Sequence, residues 1–335
     1  ISISTNVIKN PPAYRLNRTL GASNIFAVMP SRSATGASIA ATDPHTALTA
    51  PSKFMLVGLD LTTGPVIGGT IPGIPAILFG RGQNIGWGMA SAHIDDQDLF
   101  FEKINQKNKS EYFTELGLVP LMKKVEIIKV KNEKSIAVDI FKTHNGPILP
   151  LNSFGIEPIR PEGHEISINW TGLSVEDKSI EALMSIMRSS SINQAKSKLR
   201  LLDAPGQNIL LVDKENVSIF VAGAVPNRST SQLSKGKIPS LGWKDGNSWL
   251  GKLSYETNPK IENPESGIIV NTNNKTTSEN FPYHLSYDWG DSQRIVRANN
   301  LLQKRQFHTV NSFVEIQTDT TSISARILLP LLAKN

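Results

Sequence analysis

The chain has 335 residues, of which 39% are hydrophobic and 19% charged, with a net charge of +6 and no cysteine. That is the composition of a globular protein with a real core; it excludes intrinsic disorder, disulfides and thiolate chemistry. Apolar runs such as Ile67–Leu78 are broken by Gly and Pro and are too short to span a bilayer, so no membrane partner is expected.

Residues 1–22 are polar and irregular, with Pro11 and Pro12, and read as an extended lead-in. At Ser23 the texture changes. Ile25, Ala27 and Met29 alternate with Phe26 and Val28, which predicts a short buried strand stopped by Pro30. Phe54–Leu61 is a second strand candidate, and Val66–Phe79, rich in Gly, Pro and Ile, suggests a pair of strands with tight turns. Lys123, Lys124, Lys129, Lys131 and Lys134 alternate with Val125, Ile127, Ile128 and Val130. A nucleic-acid surface would interleave its basic residues with stacking aromatics. This spacing instead predicts a strand with one wet face, in a hairpin over 124–142 that turns at Asn132-Glu133-Lys134. No nucleic-acid partner is expected.

Ser174 is placed to cap a helix carrying Ile180, Leu183, Ile186 and Met187 on one face, and Asn193 to cap a second with Ala195, Leu199 and Leu202 inward. Asn208–Val212 and Ser218–Ala222 read as strands around a turn near Lys214–Asn216. A last helical stretch over about 292–303 carries Ile295, Ala298, Leu301 and Leu302 at helical spacing. Strands come first, then strands and helices mix without βαβ alternation. This favours an α+β layered sandwich over a doubly wound sheet.

Several catalytic signatures are missing. There is no Gly-x-Ser-x-Gly elbow, so an α/β-hydrolase is not expected, and no P-loop or Gly-x-Gly-x-x-Gly, so no motif points to a nucleotide or other organic cofactor. His164-Glu165 lacks the second histidine of a zinc-protease helix, and the six histidines are scattered. Four other stretches do form an ordered set: Gly21-Ala22-Ser23-Asn24-Ile25-Phe26-Ala27-Val28 with Pro30 to Gly36; Asp43-Pro44-His45; Pro72-Gly73-Ile74-Pro75 through Gly80 and Trp87-Gly88 to Asp95-Asp96-Gln97-Asp98-Leu99; and Val270-Asn271-Thr272-Asn273-Asn274 with Asp291-Ser292-Gln293-Arg294. In order and spacing this set resembles the penicillin acylase family of N-terminal nucleophile hydrolases, with its cephalosporin and acyl-homoserine-lactone branches. The resemblance runs from about Gly21 to Pro330.

The resemblance implies a four-layer αββα sandwich of two antiparallel sheets flanked by helices. Residues 23–335 would be the first part of the catalytic β-chain, and residues 1–22 the tail of a spacer or upstream chain. The partners would be a small acyl-amide substrate, of β-lactam or acyl-homoserine-lactone type, and the upstream α-chain of the same precursor. The compartment would be periplasmic or extracellular. The family cuts itself just before a serine, here Ser23, which becomes a new N-terminus. A serine hydroxyl needs a base, and a free α-amine, with a pKa near about 8, supplies one on the same residue. On its own Ser23 would read as a turn or cap serine.

By the same resemblance the Asn273 side-chain amide and the Ser91 backbone N–H form the oxyanion hole. His45 orients the nucleophile, and Arg294 supports Asn273. Taken singly, Asn273 reads as a turn residue and Arg294 as a surface ion pair. Phe79 and Thr46 fall at acyl-pocket positions, although Phe79 also suits a plain core. Asp95 and Asp98 match calcium ligands. The chain departs from that pattern at Tyr283-His284, where a further acidic ligand is expected. The rival reading is a non-catalytic relative serving as a binding or structural module. Retention of Ser23, His45, Asn273 and Arg294 opposes it.

Overall fold

The structure is a computed structural model and describes residues 21–333. Apart from Gly21 and Ala22, the expected lead-in lies outside the described residues. The described residues pack as two units. One comprises residues 95–175 and 225–253, and the other takes the remaining described residues.

The larger unit holds ten strands that matter here: β1 (Ala22–Val28), β2 (Ile39–His45), β3 (Met55–Leu61), β4 (Gly64–Thr70), β5 (Phe79–Arg81), β6 (Gly86–Ser91), β7 (Gln207–Val212), β8 (Val217–Ala222), β9 (Lys260–Glu262) and β10 (Ile268–Asn271). Its helices are α1 (Ser179–Met187), α2 (Ile192–Lys198), α3 (Gln293–Gln303), α4 (Val310–Gln317) and α5 (Ile323–Leu332). One sheet is three-stranded, in the order β2-β1-β10; the other is seven-stranded, in the order β9-β8-β7-β6-β5-β4-β3. All their pairings are antiparallel.

Side-chain alternation turns these sheets into four layers. On β1, Ile25 and Ala27 point at the larger sheet and pack with Ala90, Leu210, Ile219 and Ile269. Phe26 and Val28 point the other way, onto Leu302 of α3 and Phe313 of α4. The Phe26 and Phe313 rings lie 5.0 Å apart. The outer face of the larger sheet, with Trp87, Ile209, Leu211 and Phe220, is covered by Ala182, Ile186 and Met187 of α1 and Ile192 and Ala195 of α2. Three apolar interfaces thus separate four layers in the order helix, sheet, sheet, helix. The two sheets approach closely at Gly88. A Cβ there would fall 3.0 Å from Thr42 Cβ and 3.2 Å from Ile25 Cγ2.

The helix starts differ from the expected ones. The first helix begins at Ser179, five residues past Ser174, and the Ser179 N–H donates to Asp177 Oδ1. The second is capped by Ser191, which accepts from Gln194 N, and not by Asn193. Helices α4 and α5 follow α3, which was expected to be the last.

In the smaller unit, Gln97–Lys103 pairs antiparallel with His164–Trp170 and parallel with Ser240–Leu241. The lysine-rich hairpin forms from Met122–Ile128 and Ile136–Thr143, with Asn132 left-handed between them at φ 64°. The single wet face is not what forms. Val125, Ile127, Ile128, Ile136 and Val138 are all exposed, because no layer of the described residues covers either side of the ribbon.

Candidate active site

Register alone brings the first pieces together. β1 and β10 pair with Ile25 opposite Asn271, and continuing that antiparallel register by two residues sets Asn273 beside Ser23. Ser23 itself is half-buried, near the start of the central strand of its sheet. Asn273 is buried and left-handed, φ 65°, a conformation Asn tolerates. Its N–H donates to Asn271 Oδ1 at 3.0 Å, which closes a tight turn just past β10.

The Ser23 N–H donates to Asn273 Oδ1 at 2.7 Å. Arg294, in the first turn of α3, donates from Nη2 to the same oxygen at 3.1 Å and from Nη1 to Ser23 O at 3.1 Å. With Oδ1 held by two donors, the Asn273 amide turns its nitrogen the other way. Nδ2 donates to Ser91 O at 3.0 Å. Burial holds the Arg294 guanidinium below the ordinary arginine range, opposed by the carboxylates of Asp291 and Asp43. It remains a cation at any working pH.

Ser91 ends β6. Ala92 N donates to Gly206 O, so the 92/206 pair is hydrogen-bonded, and the 91/207 pair is of the other kind. The peptide groups of Ser91 therefore face the opposite edge of β6, beyond the reach of β5, which pairs only with Trp87 and Gly86. Ser23, Ser91, Asn273 and Arg294, spread over 271 residues of sequence, thus meet around one point.

His45 stands apart from that cluster. It pairs in register with Ala22, which places its side chain on the face of the sheet opposite to Ser23. It is exposed, and its Nε2 lies 2.6 Å from Asp43 Oδ2 rather than on Ser23. Phe79 opens β5 with its ring on Phe54, 5.3 Å between centroids, and against Gly69. Thr46 is half-buried just past β2. Neither belongs to the hydrogen-bonded network around Ser23.

Asp95 and Asp98 belong to the smaller unit. Asp98 is 1% exposed and accepts from Arg228 Nη2 at 2.7 Å, Gln232 Nε2 at 3.0 Å and Trp249 Nε1 at 2.7 Å. The Asp95 carbonyl accepts from Arg228 Nη2 at 2.7 Å. As arranged, both Asp98 oxygens are committed to N–H donors, a poor fit to Ca²⁺, which seeks several oxygens.

Four polar residues near the nucleophile went unassigned from sequence. Asn24 and Asp43 face each other across β1 and β2. Asn208 is fully buried and donates from Nδ2 to Ser91 O at 3.2 Å and to Asn271 Oδ1 at 3.3 Å. Asn271 also receives Asn273 N. The available signal was strand parity, by which Asp43 and His45, two apart, share a face; that Asn24 lies opposite Asp43 appears only in the β1–β2 register.

A profile of the penicillin amidase family matches residues 4–335. The chain belongs to the penicillin amidase family. An acyl-homoserine lactone acylase of Pseudomonas aeruginosa is 27% identical over 311 residues, covering 91% of this chain and 36% of that protein. The penicillin acylase 2 proenzyme of a Pseudomonas species is 26% identical over 304 residues, 90% of this chain and 38% of that one. This penicillin amidase chain therefore spans somewhat over a third of the length of these relatives. A solved thermostable penicillin G acylase from Alcaligenes faecalis superposes with a TM-score of 0.78 at 22% identity, covering 93% of this chain and 55% of that one. The fold of this family member is thus the αββα type of the N-terminal nucleophile hydrolases.

Proposed function

We propose that the protein containing this chain hydrolyses an amide that joins an acyl group to an amine, with Ser23 as nucleophile. The convergence of Ser23 N, Asn273 and Arg294 carries this reading, since it groups the nitrogen that would become the base with an amide donor for the oxyanion and the cation that holds that amide. In the intact chain the Ser23 nitrogen is a peptide N–H. Attack of its own hydroxyl on the Ala22 carbonyl would shift the acyl group from nitrogen to oxygen, and hydrolysis of that ester would free the α-amine. The naming of one relative as a proenzyme supports such processing.

The freed amine has a pKa near about 8, so a useful fraction is unprotonated at neutral pH and takes the hydroxyl proton as Oγ attacks the substrate carbonyl. An amide nitrogen carries two hydrogens. The Asn273 Nδ2 uses one on Ser91 O and has a second for the developing oxyanion, alongside the Ser91 N–H. Collapse of the tetrahedral intermediate expels the amine, which takes the proton, and leaves acyl-Ser23. Water then releases the acid by the same steps.

The relatives' names point to acyl-homoserine lactones or penicillins as the substrate class. His45 acts from the outer face through Asp43, and Phe79 and Thr46 border the acyl site. The upstream part of the same precursor completes the enzyme, which works in the periplasm or outside the cell. Among the described residues no helix is long and apolar enough to cross a membrane. Calcium at Asp95 and Asp98 would require the Arg228 guanidinium to withdraw, and no step depends on it. Ser23→Ala in the full-length protein tests the proposal. It should leave an uncut chain without amidase activity, and a processed, active variant would remove Ser23 from the chemistry.

A further inference from the structure

We propose that Asn24 and Asp43 are positioning residues of the Ser23 site, which set, through Arg294, the way the Asn273 amide faces. This rests on the amide-hydrolase reading above. The β1–β2 register pairs Asn24 with Asp43, so the two side chains share the face turned toward α3. Asn24 Nδ2 donates to Asp43 Oδ2 at 2.8 Å, and Asn24 Oδ1 accepts from Arg294 Nη1 at 2.9 Å.

The oxygen and nitrogen of an amide have almost the same shape, so only its partners decide which way it lies. Asp43 can only accept and therefore faces the Asn24 NH₂. Arg294 can only donate and therefore faces the Asn24 oxygen. The same guanidinium then reaches Asn273 Oδ1, which leaves Asn273 Nδ2 on the Ser91 side, where an oxyanion donor is needed. Arg294, a donor at every N–H, fixes the polarity of both amides, and what Asp43 hands on through Asn24 is the place at which that guanidinium is held. His45 caps the outer end, its Nε2 on the same Asp43 oxygen. Asp43 also supplies negative charge to the partly buried Arg294. If these residues merely tied β1 to β2, disturbing them would change stability and leave turnover alone.

The test exchanges the pair in the full-length protein: Asn24→Asp, Asp43→Asn and both together, with kcat, KM and thermal unfolding measured for each. Asn24→Asp sets two carboxylates in contact, where both cannot ionise. Its kcat should fall by about 10²-fold, the size of one misplaced oxyanion donor, with KM changed by less than about threefold. The exchanged double variant restores acid against amide and sets the carboxylate of residue 24 as acceptor against Arg294, and its kcat should return to within about tenfold of wild type. Wild-type turnover in Asn24→Asp, or a folded double variant no better than Asn24→Asp, overturns the proposal. Should Asn24→Asp fail to fold, the double variant decides alone: folded and active supports the handover, folded and inactive overturns it. Ser23→Ala run in parallel separates the two readings. A wild-type protein without amidase activity, or an active Ser23→Ala, brings down the amidase reading and this proposal with it. An active wild type and an inactive Ser23→Ala, combined with a failed exchange, bring down this proposal alone.

Discussion

Asn273→Asp separates the structural work of Asn273 from its catalytic work. Asp tolerates the left-handed backbone found at φ 65°, so no large strain is added. It keeps an oxygen for Ser23 N and Arg294 Nη2, and the second contact becomes an ion pair. It loses the donor on Ser91 O, leaving oxygen against oxygen there. The lost bond costs about 1–3 kcal/mol, while the charge-assisted bond to Arg294 returns a similar amount, so stability should change by less than about 2 kcal/mol. Catalysis has no such compensation. Removing one oxyanion donor costs about 10²–10³ in kcat, roughly 3–4 kcal/mol, and the new anion repels the developing one. The assay is steady-state hydrolysis of a chromogenic acyl anilide by the full-length protein, alongside thermal unfolding. A folded variant that keeps kcat within about tenfold of wild type would refute the assignment of Asn273 to the oxyanion hole.

Arg294→Lys replaces a fork that bridges Ser23 O, Asn24 Oδ1 and Asn273 Oδ1 with a point charge that cannot hold all of them. Turnover should fall by about 10- to 100-fold in the same assay while charge is conserved. Gly88→Val drives side-chain atoms into Thr42 and Ile25 between the sheets and should cost about 1–3 kcal/mol in a denaturant titration. His308 is fully buried, with Nε2 on Leu302 O at 2.8 Å, and burial, assisted by the Arg32 and Arg305 charges, holds its pKa below the ordinary value. The unfolded chain therefore takes up the proton first as pH falls through about 6.5. Stability should decline below that pH and be flat above about 7.5 as far as this residue is concerned. His308→Gln should flatten that part of the stability profile.

Parts of the fold were legible because local pattern and tertiary environment agree. β1 is apolar on both faces because it lies between a sheet and a helix layer, and its run from Ile25 to Val28 says so directly. β2 was not recognised as a strand, since Pro44 reads as a breaker. It is tolerated because β2 is an edge strand and Pro44 owes no ladder hydrogen bond on its open side. Helix α4 was missed because its capping box is Thr309 with Ser312, and Ser stands where Glu or Gln would give the usual signature.

The candidate site divides in the same way. Ser23, Asn273, Ser91 and Arg294 could be named from ordered motifs, whereas their contact depends on the pairing of β1 with β10 about 250 residues away, which no local pattern encodes. Asn24 and Asp43 sat inside the quoted motifs without a role, because a role appears only once Arg294 is seen to lie over them.

The central claim is that Ser23 Oγ carries the acyl group. The most direct measurement is rapid quenching of the full-length protein during turnover of a slow acyl-amide substrate, followed by peptide mass mapping. The account predicts a peptide whose first residue is Ser23, heavier by the mass of one acyl group. An active protein in which the Ala22–Ser23 bond is intact, or in which the acyl group is found on any other residue, would contradict it.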